Sequence, residues 1–191
     1  LSALHPRYVR AQRGRVLAQL LPRVVDLAQL ARRYDIGFNI DTEEADRLDL
    51  SLDVLAALAA DPSLAGWDGL GFVVQTYQKR ARPLVDWIVA LARATNRRLM
   101  VRLVKGAYWD TEIKRAQVDG LVDYPVFTRK VHTDVAYLAC AKALLAAGDA
   151  VYPQFATHNA FTIAAVASLA GDRPFEFQCL HGMGETVYDQ L

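Results

Sequence analysis

Five short apolar runs recur along the chain, at Ile36–Ile40, Leu70–Thr76, Leu99–Val104, Val151–Ala156 and Phe175–Leu180. The segments between them carry apolar residues every three or four positions. Short, mostly apolar runs suit strands buried on both faces, and the longer periodic segments suit amphipathic helices. One such segment holds Leu48, Leu52, Leu55 and Ala59 and stops at Asp61-Pro62. Another holds Val131, Val135, Leu138, Ala139, Lys142 and Leu145 and stops at Gly148. Pro83 stands where a first-turn proline belongs, ahead of Leu84, Ile88 and Leu91. Pro22 lies inside the first helical pattern and predicts a kink or two consecutive helices there. With a partial strand at Leu1–Leu4, the chain reads as six strands in βαβα alternation. That is the α/β class, with a parallel sheet covered by helices.

Such a sheet is either open and doubly wound or closed into a (β/α)8 TIM-like barrel. In both, functional side chains gather where strands end and loops begin. Here nearly every strand ends that way: Leu1–Leu4 in His5, the next in Asp41 followed by Glu43 and Glu44, and the third in Gln75 and Tyr77. The run at Leu99–Val104 brings Arg102, Lys105 and Tyr108, the next Thr157, His158 and Asn159, and the last Gln178 and His181. An open sheet concentrates its chemistry at one switch point, whereas a barrel draws on every strand, so the barrel is the expectation. A full barrel takes about 250 residues, against 191 here. The chain therefore reads as a partial barrel of about six strands. It reads as a single domain over 1–191 that is cut at both ends, starting without Met in the tail of a strand and stopping just after a helix begins.

Several classes are disfavoured. The formal charge is +1 and no block of five like charges occurs, so no electrostatic footprint for nucleic acid is present. No apolar run approaches the roughly 18 residues of a membrane span, and no signal peptide is visible. Cys140 and Cys179 lie in apolar surroundings and read as buried free thiols of a cytosolic protein. There is no G-x-G-x-x-G after a strand, no Walker A lysine and no G-x-S-x-G elbow.

The run "RLMVRLVKGAYWD" stands out, because Arg102 interrupts a buried strand and Lys105 follows just before Gly106. Alternation puts Met100, Arg102 and Val104 on one face, and Val101, Leu103 and Lys105 on the other. The two cations can serve one site only if Gly106 turns the chain and Lys105 belongs to the loop. Arg102 is then either an outward arginine whose stem packs under a helix, or a guanidinium aimed into the barrel mouth. Asp41 is either a helix cap or a site carboxylate. A metal-dependent barrel hydrolase competes, with His5, Asp41, His158, His181 and Lys105 as its inventory. Against it, no H-x-H pair follows a strand, and Asp41, Glu43 and Glu44 sit together. A non-catalytic barrel fragment is the third reading.

Taken together, "GFNIDTEEADR", "RLVKGAYWDTEIKRAQVDGL", "YPVFTRKVHTDVAYLACAKALL", "YPQFATHNA" and "FEFQCLHGMGE" closely resemble the proline dehydrogenase domain of bifunctional bacterial flavoenzymes. The resemblance implies a distorted (β/α)8 barrel that binds FAD at the C-terminal ends of its strands. It implies oxidation of L-proline to Δ1-pyrroline-5-carboxylate, by hydride transfer from C5 to flavin N5, with electrons passed on to a membrane quinone. It further implies a separate NAD-dependent aldehyde dehydrogenase module in the same chain, a homo-oligomer, and a cytoplasmic location with peripheral contact at the inner membrane. No metal is implied.

Residue by residue, the resemblance places Arg102 against flavin N5, as a fixed cation that stabilises negative charge on the ring. Val73, Gln75 and Val104 would line the flavin ring. Lys105, Gly106, Ala107 and Trp109 would form the loop around the ribityl-pyrophosphate part, and Thr157, His158 and Asn159 would hold the adenine side. Gln178, Cys179 and Leu180 would finish the cofactor wall. Asp41, Ala107, Tyr108 and Leu180 would shape the proline pocket, with Asp41 orienting a lysine. That lysine, and the paired arginines that clamp the proline carboxylate, would lie outside residues 1–191.

Overall fold

The computed structural model describes residues 1–190. Strands and helices alternate along the chain, except that two helices separate β3 from β4: α1 (Arg13–Arg33), β1 (Phe38–Ile40), α2 (Leu48–Ala60), β2 (Leu70–Gln75), α3 (Ala81–Ala94), β3 (Leu99–Val104), α4 (Trp109–Val118), α5 (Lys130–Ala146), β4 (Val151–Ala156), α6 (Ala160–Ala170), β5 (Glu176–Gln178) and α7 (Glu185–Tyr188). The five strands form one sheet in the order β1-β2-β3-β4-β5, and every neighbouring pair is parallel. Strand order equal to chain order is the barrel arrangement. A doubly wound sheet would reverse at a switch point.

Period-2 alternation separates the two faces of the sheet. In register on one face lie Ile40, Phe72, Val101 and Pro153, and above them Val74, Leu103, Phe155 and Phe177. Helices α3, α5 and α6 pack side by side against these residues, and most of them are fully buried. Tyr137 of α5 is wholly buried there, and its hydroxyl donates to the carbonyls of Leu103 (3.2 Å) and Ala156 (3.5 Å). The opposite face carries Asn39, Gly71 and Met100, then Val73, Arg102, Gln154 and Glu176. β3 alternates buried and half-buried residues along its length, with Arg102 among the half-buried ones.

Pro153 stands inside β4, where a ladder N–H is usually needed. β5 pairs only from Gln154 onward, so at Pro153 the strand has a neighbour on one side alone. Helix α6 is capped by Asn159, whose side-chain oxygen accepts from the Thr162 N–H at 2.9 Å. Asn159→Ala is expected to cost about 1 kcal/mol, read as a lower urea midpoint with an unchanged m-value.

Two expectations about the strands and helices need correction, and one alternative falls away. Leu1–Leu4 is not a strand: Ser2–Leu4 forms a single 3-10 turn, so the described sheet has five strands. Of the two outcomes predicted at Pro22, consecutive helices fall away, because α1 runs from Arg13 to Arg33 as one helix through it. In α5 the span agrees but the face does not. Its buried side is Thr133, Tyr137, Cys140, Ala141, Leu144 and Leu145, while Val131 and Val135 are exposed. Both cysteines are free, and Cys140 is buried, which pushes its thiol up to about 11. Cys179 is exposed, because it follows the three-residue β5 rather than lying within a covered strand.

Candidate functional site

The loops that leave the C-terminal ends of β1 to β5 surround a cleft of about 990 Å3. Arg102 enters it from the face of β3 opposite the helices, next to Val73 of β2 and Gln154 of β4 in register. Its Nε–H donates to Gln178 Oε1 at 2.7 Å, and its NH1 group to Asp41 Oδ1 at 2.8 Å. The guanidinium is therefore an inward one, held between β1 and β5. Asp41 does not cap a helix. The turn at Ala45–Arg47 begins after Glu44, and the carboxylate of Asp41 faces Arg102 instead.

β3 ends at Val104, and Lys105 belongs to the loop that follows. Gly106 makes that turn with φ of +140°, a conformation open to glycine and rarely to other residues. A Cβ at Gly106 would lie 2.4 Å from the Tyr77 ring, so the loop lies flat on that ring. Tyr77 is buried, which holds its phenol well above the usual value. Lys105 thus lines the same cleft as Arg102, although alternation alone would have put them on opposite faces.

Gln75 ties the loops together from beneath. Its amide nitrogen donates to Thr42 Oγ1 (3.1 Å) and to the Glu43 carbonyl (2.9 Å), and its amide oxygen accepts from the Ala107 N–H (3.1 Å). Gln75 lines the cleft, but both ends of its amide are engaged within the chain. Glu112 of α4 joins the same two loops, accepting from the Ala45 N–H at 2.6 Å. It is buried, and that burial raises its carboxyl, only partly offset by the Ala45 bond.

Lys105 Nζ meets Asp134 Oδ1 at 2.7 Å, and Lys130, the first residue of α5, meets Asp134 Oδ2 at 2.7 Å. Two ammonium groups therefore share one carboxylate at the rim. Partial burial pushes the Asp134 carboxyl up, but the two lysine contacts outweigh it and hold it below the ordinary 3.8. A carboxyl lowered on folding contributes stability above its unfolded value and loses it as pH falls through the folded one. Asp134→Asn is accordingly expected to unfold more easily than the parent at pH 7. The gap between their denaturant midpoints should close as pH drops below 3.8. A gap that widens in acid would contradict this.

At the far side, His158 Nε2 accepts from the Leu180 N–H at 3.0 Å, so the ring proton sits on Nδ1. The Tyr188 hydroxyl donates to the carbonyls of Thr157 (2.5 Å) and Gln178 (3.2 Å), fastening the ends of β4 and β5 side by side.

The cleft lining includes Asp41, Val73, Gln75, Arg102, Val104, Lys105, Gly106, Ala107, Tyr108, Thr157, His158, Asn159, Gln178, Cys179 and Leu180. Trp109 is not among them. It opens α4, and its indole N–H donates to the Phe127 carbonyl at 2.9 Å. Three further lining residues escape the sequence reading: Thr42, Lys130 and Ala156. Lys130 opens a helix 25 positions after Lys105, and no local pattern links it to a strand end. The metal inventory does not assemble. His5 is buried against Gln19, His181 is outside the lining, and no group of three or more ligating side chains occurs among the described residues.

Comparison with known proteins is consistent along the whole chain. The proline dehydrogenase family model matches residues 3–191. The bifunctional protein PutA of Escherichia coli (strain K12) is 63% identical over 195 residues, covering 100% of this chain and 15% of its own length. PutA of Rhizobium meliloti is 60% identical, with 100% and 16% covered. Among crystal structures, a mutant proline utilization A from Bradyrhizobium japonicum has a TM-score of 0.97 at 62% identity, over 99% of this chain and 20% of that one. Proline utilization A from Bdellovibrio bacteriovorus, inactivated by N-propargylglycine, has a TM-score of 0.93 at 31% identity, over 98% and 20%. The chain thus spans between about a seventh and a fifth of the length of these relatives.

Proposed function

The chain belongs to the proline dehydrogenase family, and from that premise we propose that it forms the FAD-binding wall of a site that oxidises L-proline to Δ1-pyrroline-5-carboxylate. The observation that carries this reading is Arg102, a cation on the inner face of a strand, held from both sides at the floor of a cofactor-sized cleft. The cleft volume lies at the top of the range of about 300–1,000 Å3 typical for bound small molecules. The donor set fits the group as well. Apolar Val73 and Val104 flank the guanidinium, suiting a ring, while Lys105 and Lys130 suit a diphosphate. Bound FAD would supply the hydride acceptor.

The remaining roles belong to this chain's own side chains. Arg102 favours negative charge developing beside it, and does so without reorganising, because Asp41 and Gln178 already fix it. Lys105 and Lys130 neutralise phosphate oxygens, with Asp134 keeping both ammonium groups in place. Thr157, His158 and Asn159 hold the adenine side. Ala107, Tyr108 and Leu180 shape the proline pocket together with Asp41. The lysine and arginines that would complete that pocket are proposed to come from other regions of the same protein. That protein would also carry an NAD-dependent aldehyde dehydrogenase module, form a homo-oligomer, and pass electrons to quinone as a cytoplasmic enzyme touching the inner membrane.

The test is the visible spectrum of the purified protein that carries this domain. Flavin bands that bleach on anaerobic addition of L-proline are expected. A colourless protein that stays colourless after incubation with FAD would sink the reading.

A further inference from the structure

The Arg102 guanidinium is held at two points, and the two holders differ. Asp41 can only accept, so its contact has one possible polarity. Gln178 is ambiguous, because an amide presents either its oxygen or its NH2 group. Arg102 Nε–H needs the oxygen, and something must keep it turned that way.

Glu176 stands two residues earlier on β5, on the same inner face. Its Oε1 accepts from Gln178 Nε2 at 2.6 Å and from Gln154 Nε2 at 2.9 Å. Gln154 is 4% exposed, and its own amide oxygen faces Asn39 Nδ2 at 3.5 Å. A carboxylate cannot donate, so an amide that places its NH2 group on Glu176 must turn its oxygen the other way, toward Arg102. Glu176 itself does not line the cleft. We propose that Glu176 is a positioning residue, which sets the polarity of Gln178 and through it the orientation of Arg102 in the cleft. The inference deepens the functional reading above, because Arg102 is the cation assigned there to the reacting ring.

The experiment uses the FAD-loaded protein and two variants, Glu176→Gln and the exchange Glu176→Gln with Gln178→Glu. In the single variant two amides face one another, and the amide at 176 can present its NH2 group to Gln178 as readily as its oxygen, so only Arg102 itself still selects the Gln178 oxygen. In the exchange, a carboxylate at position 178 accepts from both the new amide and Arg102, with net charge preserved. Partners that orient the ligands of metal sites typically matter by 10- to 100-fold, and an orienting partner of Arg102 is placed at the low end of that range. Glu176→Gln is therefore expected to lose about tenfold in kcat per bound flavin, with a smaller change in KM for proline and a shifted flavin midpoint potential. The exchange variant should recover most of both. A purely structural Glu176 would change flavin content or thermal midpoint without moving either quantity per bound flavin. The proposal is overturned if kcat per flavin and potential are unchanged in Glu176→Gln, or if the exchange, equally loaded, is no better than the single variant. Crystal structures of both variants separate this from the functional reading. If the parent binds no flavin, the function fails, yet an Arg102–Gln178 hydrogen bond that breaks in Glu176→Gln and re-forms in the exchange still supports the positioning role. Retention of that bond at 2.7 Å in Glu176→Gln overturns it.

Discussion

Arg102→Met in the FAD-loaded protein is expected to lower proline turnover by about 10²- to 10³-fold, the usual cost of removing one preorganised stabilising donor. The flavin midpoint potential should fall with it. A hydrogen bond to a charged group is worth about 1.5–3 kcal/mol, and 30 mV corresponds to about 1.4 kcal/mol for a two-electron couple. A decrease of about 30–60 mV follows. Methionine keeps an apolar stem beside Val73 and removes the charge together with the hydrogen bonds to Gln178 and Asp41. Stability should change little, since the partner carboxylate of Asp41 is 75% exposed and such pairs contribute little. Potential, turnover and thermal midpoint measured on one preparation decide the matter. Unchanged potential and rate would remove Arg102 from the role assigned to it.

Gly106→Ala is expected to be the most damaging small substitution in the cleft. The φ of +140° alone costs an L-residue about 1–3 kcal/mol. The added methyl would meet a ring that cannot retreat. The Tyr77 N–H donates to the Lys105 carbonyl at 2.7 Å, and the Tyr77 carbonyl accepts from the Phe127 N–H at 2.7 Å. Overpacking of that kind adds a further cost of about 1–3 kcal/mol. Together they predict a loss of about 2–6 kcal/mol in the ordered loop, seen as FAD affinity weakened at least tenfold. Gly14→Ala is the control. Gly14 lies inside α1 with nothing within 4 Å of its would-be Cβ, so that change should leave stability equal or slightly higher. Titration of the flavin-stripped proteins with FAD checks the first prediction and a urea midpoint the second, and equal FAD affinities of Gly106→Ala and the parent would refute the role of the Tyr77 shelf.

The difference between those two glycines is half visible in the amino-acid order. Gly106 follows Lys105, a loop residue, and the strand that carries Arg102, and alternation shows that these two cations can share a site only if the chain turns there. The neighbour that makes the turn intolerant of a side chain, Tyr77, comes from another strand end and leaves no mark near Gly106. The same division holds elsewhere. β3 and β4 have the expected bounds, because continuous apolar composition between turn residues is a local signal. β1 and β5 are shorter than their apolar runs, since pairing and not composition ends a strand. The buried side of α5 is not legible because its apolar residues lie nearly all round, and the choice between Val131 and Thr133 is made by α3 and α6. Leu1–Leu4 has strand composition but curls into one turn near Glu43, whose carboxylate accepts from the Ser2 N–H. Lys130 joins the cleft because α5 begins beside the β3 loop, where Asp134 pairs with Lys105, and the Trp109 indole N–H is tied to the Phe127 carbonyl. Such pairings depend on tertiary geometry that no spacing rule carries.

The order β1-β2-β3-β4-β5 also has a meaning for synthesis. Because each strand lies beside the one translated just before it, a growing chain never has to open an existing strand pair to admit a newcomer. Every βα unit can dock on an edge that already exists when it leaves the ribosome, in the N-to-C direction in which domains generally fold during translation. The pieces that hold Arg102 then arrive in sequence: Asp41 with the first strand, Arg102 with the third, Gln178 with the fifth. The guanidinium meets its carboxylate early and its amide last, so a ribosome pausing before Phe175 would hold the cation with only one of its two anchors.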